Sequence, residues 1–271
     1  MKFVCPKCSS AFRLGDVGAL ICERGHSYDR SRDGYYNLLL SGSGGVHGDN
    51  KAMIAARRDF LNTGAYYTLA KRVCELVTEL AAPHASLIDM GCGEGYYTDL
   101  IERALFARDE KSFVSAFDIS KDAVKFAAKR NKNVSFAVAS SYKIPSCDES
   151  FDFAVNIFAP LALDEVRRIL KRCGKYLMVI PDRKHLFGLK EILYDNPYEN
   201  SPQPTELSGF QLIREEKISY DLKLDSTEKI EKLFNMTPYA YRTAPESKAR
   251  LAEKSSIDCR AEFIVLIYEK L

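Results

Sequence analysis

The chain has 271 residues, of which 46% are apolar, and a formal net charge of +2 at neutral pH. That length suits one medium domain with a small satellite, and a core of that size needs no disulfide staples. The composition excludes a membrane-spanning chain, because no apolar run approaches the roughly eighteen residues a span requires.

The start, Met1-Lys2-Phe3-Val4-Cys5-Pro6, lacks the charged and apolar regions of a secretory signal, so the expectation is a cytoplasmic protein. The net charge is too small to argue for a nucleic-acid partner by itself. Residues 121–132 carry five basic side chains against one acid, and residues 164–190 carry eight against three. Such clusters can attract phosphates, and they serve equally as solvated helix faces.

Residues 1–34 hold few apolar side chains, and a segment that small needs a staple to fold. Cys5-Pro6-Lys7-Cys8 followed by Cys22-Glu23-Arg24-Gly25-His26 provides one. Three thiolates and one imidazole, arranged as two close pairs, suit a tetrahedral structural zinc ion bound by Cys5, Cys8, Cys22 and His26. That ligand set leaves no position for water, so no hydrolytic role follows. A redox Cys-x-x-Cys would leave Cys22 and His26 unexplained. The other cysteines, Cys74, Cys92, Cys147, Cys173 and Cys259, are scattered singly and read as small core residues.

Residues 41–48 are rich in glycine and serine and read as a flexible loop. Helices follow at 51–62 and 67–81, the second with Leu69, Val73, Leu76, Val77 and Leu80 near one face. From residue 86 strands and helices alternate. Strands are predicted at 86–90, 114–119, 134–139, 151–158 and 176–180, with helices from about Tyr96, after a Ser120 cap, and at 163–171. This alternation implies a doubly wound, mostly parallel sheet. Later, 186–194 reads as a helix and 195–206 as a loop. Strands at 210–220 and 261–269 can close the sheet as an antiparallel edge pair. Between them Asp225, with Glu228 three residues on, can open a helix through Phe234.

The first of these strands runs into Asp89-Met90-Gly91-Cys92-Gly93-Glu94-Gly95. Gly91 and Gly93 allow a sharp bend and close approach of a ligand to the backbone. A dinucleotide site would carry a third glycine where Tyr96 stands, so a pyrophosphate fits poorly. A cationic sulfonium with an amino-acid tail fits better, because Asp89 and Glu94 bring negative charge toward its ammonium. Asp118, at the end of the next strand, can accept both hydroxyls of a ribose. Together these elements resemble the S-adenosylmethionine site of class I methyltransferases. Ser140 and Ser141 after the third strand can approach the adenine. Asn156-Ile157-Phe158-Ala159-Pro160 after the fourth faces the transferred methyl, and Asn156 reads either as a base-positioning residue or as a strand-end cap. A zinc module joined to such a fold points to a macromolecular substrate.

The chain as a whole resembles the RlmA-type large-subunit rRNA (guanine-N1)-methyltransferases. The resemblance is carried by the cysteine module, Gly34-Tyr35-Tyr36-Asn37-Leu38-Leu39, Arg57-Arg58-Asp59-Phe60-Leu61-Asn62-Thr63-Gly64-Ala65-Tyr66, the glycine turn through Thr98, Val138-Ala139-Ser140-Ser141, and Asn235-Met236-Thr237-Pro238-Tyr239. The resemblance implies methylation of N1 of a guanine in a hairpin of 23S rRNA, with no role for DNA. It implies a homodimer with an RNA-sized cleft, and cofactor contacts from Tyr66, Gly93, Glu94 and His185. One departure is local: the family's Pro-Gly-Gly before the fifth strand is Arg172-Cys173-Gly174 here.

The expected organisation is a zinc-binding domain at 1–34, a linker loop and helices at 35–81, and the methyltransferase domain at 82–271. Two rivals remain: a small-molecule methyltransferase on the same core, which has no clear need of a zinc module, and a non-catalytic RNA-binding assembly factor with a vestigial pocket, which the intact Gly91, Gly93, Glu94 and Asp118 oppose.

Overall fold

A computed structural model of the chain describes residues 2–40, 50–201, 204–241 and 243–271. The stretch 41–48, expected to be a loop, lies outside the described residues.

The N-terminal module is a three-stranded antiparallel sheet of β1 (Phe12–Leu14), β2 (Leu20–Cys22) and β3 (Ser27–Tyr28). β4 (Tyr36–Asn37) then joins a different sheet. Helices α1 (Lys51–Leu61) and α2 (Tyr67–Leu80) follow, then β5 (Ser86–Met90), α3 (Tyr96–Arg108), β6 (Phe113–Asp118), α4 (Lys121–Arg130), β7 (Ser135–Val138), β8 (Phe151–Ile157), α5 (Leu163–Ile169) and β9 (Leu170–Pro181). The chain ends with α6 (Phe187–Leu193), β10 (Phe210–Leu224), α7 (Thr227–Met236), α8 (Pro245–Ala252) and β11 (Ile257–Lys270).

The main sheet has eight strands in the order β10-β11-β9-β8-β5-β6-β7-β4. Pairings from β9 across to β4 are parallel, and β11 runs antiparallel to both β9 and β10. From β5 the chain moves outward through β6 and β7, then returns to place β8 on the other side of β5. This reversal opens a crevice at the carboxyl ends of β5 and β8, where open α/β sheets bind ligands.

Alternation along the strands sorts side chains to two buried faces. Leu87, Ala116, Val155 and Leu177 pack with α2, α3 and α4, while Ile88, Phe117, Ala154 and Met178 pack on the other face with Phe3, Leu20, Tyr36 and Leu38. The N-terminal module therefore docks on the sheet. The Val4 amide donates to Pro145 O at 2.8 Å, and Lys132 Nζ donates to Asp33 O at 2.9 Å.

Several sequence-based expectations change. The segment expected as linker and helices, 35–81, supplies an edge strand through Tyr36↔Ala137 and two packed helices. The helix expected over 163–171 stops at Ile169, because β9 begins at Leu170. α7 is capped by Ser226, whose hydroxyl accepts from the Lys229 amide at 3.4 Å, while Asp225 pairs with Lys229. Cys92 and Cys259 are buried, but Cys147 and Cys173 are exposed and form no part of the core. No helix among the described residues is long and apolar enough to cross a membrane.

Candidate functional site

The glycine turn is tied to the tip of β6. Gly91 and Cys92 amides both donate to Phe117 O, at 2.9 and 3.0 Å, and the Gly93 amide donates to Asp118 Oδ2 at 2.9 Å. Asp118 Oδ1 accepts from the Ser120 amide at 2.8 Å, so this carboxylate braces the turn and the start of α4 together. Gly91 has φ +79°, and a Cβ there would lie 2.5 Å from that of Ala159, so side-chain-free backbone is required where the loop after β8 crosses the turn. Gly93 has φ +55°, and a Cβ there would meet nothing nearer than Arg57 Nη1 at 4.0 Å, which leaves room above it for a ligand.

The two acids of the turn differ. Asp89 is buried and accepts from Thr98 Oγ1 at 2.5 Å. Burial pushes its carboxyl up to about 7, against the Thr98 hydrogen bond that favours the charge. Glu94 Oε2 accepts from Arg130 at 2.7 Å, while its Oε1 is buried with no hydrogen-bond partner. Burial raises this carboxyl too, and Arg130 opposes the rise. A buried, unsatisfied carboxylate oxygen is costly and suits a cationic donor group from a ligand.

Ser140 and Ser141 are half-buried just beyond β7, next to Asp118 across Asp118↔Val138. The Ser140 hydroxyl accepts from the Tyr142 amide at 3.2 Å and shapes that turn. Asn156 is buried and uses both ends of its side chain inside the loop: Nδ2 donates to Pro160 O at 3.2 Å, and Oδ1 accepts from the Ala159 amide at 3.1 Å. It braces the loop and does not reach out to a base edge.

Tyr66 and His185 lie 119 residues apart in the chain. The His185 Nδ1 accepts from the Glu262 amide at 3.2 Å, which places the ring proton on Nε2, 3.3 Å from the Tyr66 hydroxyl. Burial holds this imidazole down to about 4, so it is neutral at physiological pH. Sequence reasoning missed two neighbours, Arg57 beside Gly93 and Arg130 on Glu94, and named Phe158 only as part of the loop after β8. Arg130 was visible only as one of a cluster of basic residues, and its partner lies 36 positions away.

In the N-terminal module, Cys5, Cys8, Cys22 and His26 offer ligand atoms within 4.8 Å of one another. The His26 Nδ1 lies 3.4 Å from both Cys5 Sγ and Cys22 Sγ, and Cys8 Sγ lies 3.6 Å from Cys22 Sγ. A tetrahedral zinc ion, with arms of about 2.0–2.3 Å, sets its ligand atoms roughly 3.4–3.8 Å apart. The Cys8 thiol is lowered to about 6, mainly by hydrogen bonds with Ser10, toward the thiolate a metal requires. Between this module and the sheet edge runs a cleft of about 340 Å³ whose charged lining residues, Arg13, Arg30 and Lys132, are all basic.

The parallel sheet, its switch point and the braced glycine turn define an S-adenosylmethionine-dependent methyltransferase of class I. In accord with this, residues 87–178 match the family model described as a methyltransferase domain. A solved structure from Anaeromyxobacter dehalogenans, described as a type II methyltransferase, shares the fold at a TM-score of 0.50 and 18% identity, covering 74% of this chain and 95% of that one. The 23S rRNA (guanine(748)-N1)-methyltransferase of Streptomyces fradiae is 31% identical over 91% of this chain and 88% of its own length. The Bacillus subtilis protein YxjB, described as a 23S rRNA (guanine-N1)-methyltransferase, is 30% identical over 98% of this chain and 96% of its own. The chain belongs to the 23S rRNA (guanine-N1)-methyltransferase family.

Proposed function

We propose that this protein transfers a methyl group from S-adenosylmethionine to N1 of a guanine in a hairpin of 23S rRNA. The observation that carries the reading is kinship over nearly the whole chain, spanning the cysteine module and the methyltransferase core together. A small-molecule enzyme on the same core has no use for that combination.

The donor supplies an electrophilic methyl on a sulfonium. Gly93 lets the backbone approach it while Gly91 makes room for the loop after β8, Asp118 takes the ribose hydroxyls, and Ser140 and Ser141 flank the adenine. The unpartnered Glu94 Oε1 receives the ammonium, while Asp89, buried behind the turn, accepts from Thr98 and anchors the start of α3. Tyr66 and His185 close the donor site from the β11 side. Because Nε2–H of His185 donates to the Tyr66 oxygen, the tyrosine hydroxyl proton is left to point at a ligand. The target guanine must leave its stack to present N1, which also must lose its proton as the methyl arrives. Asn156 fixes the loop against which the base settles, so it acts through that loop.

Cys5, Cys8, Cys22 and His26 hold a structural zinc ion whose binding energy folds the N-terminal module. The basic cleft beside it takes RNA phosphates. The assembly is a homodimer in this reading, tested by sedimentation of the purified protein. The enzymatic assignment is tested by reverse transcription of rRNA incubated with the protein and S-adenosylmethionine. A new stop at one guanine, absent without the donor, is expected. Transfer of labelled methyl to a free metabolite and not to RNA would point to the small-molecule rival.

A further inference from the structure

Phe158 is an anomaly at the mouth of the crevice. It follows β8 directly, has φ +60°, and leaves 43% of its surface exposed. A left-handed backbone is strained for a large L-residue, and an exposed aromatic ring recovers little of that by burial. The surrounding structure nevertheless holds it there. The Phe158 amide donates to Val179 O at 3.1 Å, Asn156 pins the next two residues, and Ala159 is wedged against Gly91 of the donor turn.

The ring is seated by aromatic neighbours on its inner side. Phe263 lies 5.5 Å away and Tyr97 6.3 Å away, centroid to centroid. Phe263 in turn contacts His185 at 4.6 Å and Tyr66 at 5.0 Å. The Tyr97 hydroxyl is buried and has no hydrogen-bond partner. A rigid, half-exposed aromatic face thus stands between the donor turn and the Tyr66–His185 pair, beside an unsatisfied hydroxyl.

We propose that Phe158 is the platform on which the extruded target guanine stacks, and that its strained backbone aims the ring so that the base edge meets the donor methyl. Bases drawn out of a duplex are held by stacking on aromatic side chains, and such contacts tolerate any base with a π face. Selection of guanine therefore falls to edge contacts. The inference rests on the RNA-methylating reading above.

The test uses the full-length protein and an rRNA fragment carrying the mapped target guanine. Phe158→Ala is expected to lower kcat/KM for RNA about 5- to 150-fold, the range of one lost base–aromatic stack. Phe158→Tyr should restore most of it, and Phe158→Leu, which keeps apolar bulk without a π face, should not. Calorimetric affinity for S-adenosylhomocysteine should be unchanged in all three. An RNA with 2-aminopurine at the target position should be quenched on binding wild-type protein and stay bright with Phe158→Ala. The proposal is overturned by Phe158→Ala activity equal to wild type, by Phe158→Leu matching Phe158→Tyr, or by loss of S-adenosylhomocysteine binding that marks the ring as a mere strut. Failure of the wild-type protein to modify any RNA would instead overturn the functional reading, and this proposal with it.

Discussion

The hydroxyl of Tyr66 and Nε2 of His185, 119 residues apart in the chain, lie 3.3 Å from each other in the protein interior. The contact joins the loop before α2 to the turn before α6, and it needs a neutral imidazole with its proton on Nε2. In the unfolded chain the same histidine titrates near its ordinary value of about 6.5.

A pH dependence follows from that difference. The folded-state value is depressed to about 4, so the unfolded chain takes up the proton first as pH falls. This group's contribution to stability is complete above about pH 6.5 and is lost progressively down to about pH 4. Between pH 7 and 4.5, wild type should lose roughly 2–3 kcal/mol more than His185→Gln in urea unfolding. Parallel losses in the two proteins would remove the imidazole from this role.

Asp118 braces Gly93 and Ser120, and in the proposed reading it also receives a ribose. Asp118→Ala should weaken S-adenosylhomocysteine binding by about 100-fold or more, since hydrogen bonds to a charged acceptor contribute about 1.5–3 kcal/mol each. Titration calorimetry reads this directly, and unchanged affinity would refute the ribose assignment.

The cysteine cluster is expected to carry about one zinc ion per chain. Cys8→Ser should reduce the content by elemental analysis and make residues 2–34 sensitive to protease. Full zinc occupancy in that variant would exclude Cys8 as a ligand.

Arg13 is exposed at the mouth of the basic cleft. If the cleft takes RNA phosphates, Arg13→Ala should weaken binding and lower the salt slope of log K by about one unit of charge. Filter binding between low and moderate salt checks this, and an unaltered slope moves the RNA path elsewhere.

Cys173 is exposed and has φ +60° where the register of β9 against β8 shifts. Cys173→Gly relieves left-handed strain at some cost in unfolded-chain entropy, and a net gain of about 0.5–1 kcal/mol is expected. The thermal midpoint should rise by a few degrees at most, about 2–4 °C per kcal/mol for domains of 150–250 residues.

Much of the site was legible as local pattern. Gly91, Gly93 and Asp118 stand at the ends of successive strands, and strand–helix alternation fixes which ends share an edge of the sheet. The cysteines and histidine of the candidate metal cluster lie within 22 positions of one another, so spacing alone grouped them. α8 and the short strands of the N-terminal module went unread, because a strand of two or three residues has no period to detect.

Tertiary structure decided what sequence pattern cannot carry. The glycine turn announces that a ligand approaches the backbone, because the chain's own steric freedom is written there in residue type. That Glu94 keeps one oxygen for Arg130 and leaves the other unpartnered, that Asn156 turns inward while Phe158 faces out, and that His185 meets Tyr66 all depend on distances between segments far apart in the chain. Those distances are set by packing across the sheet and by which hydrogen bonds burial leaves unsatisfied, and neither is a property of any local stretch of residues.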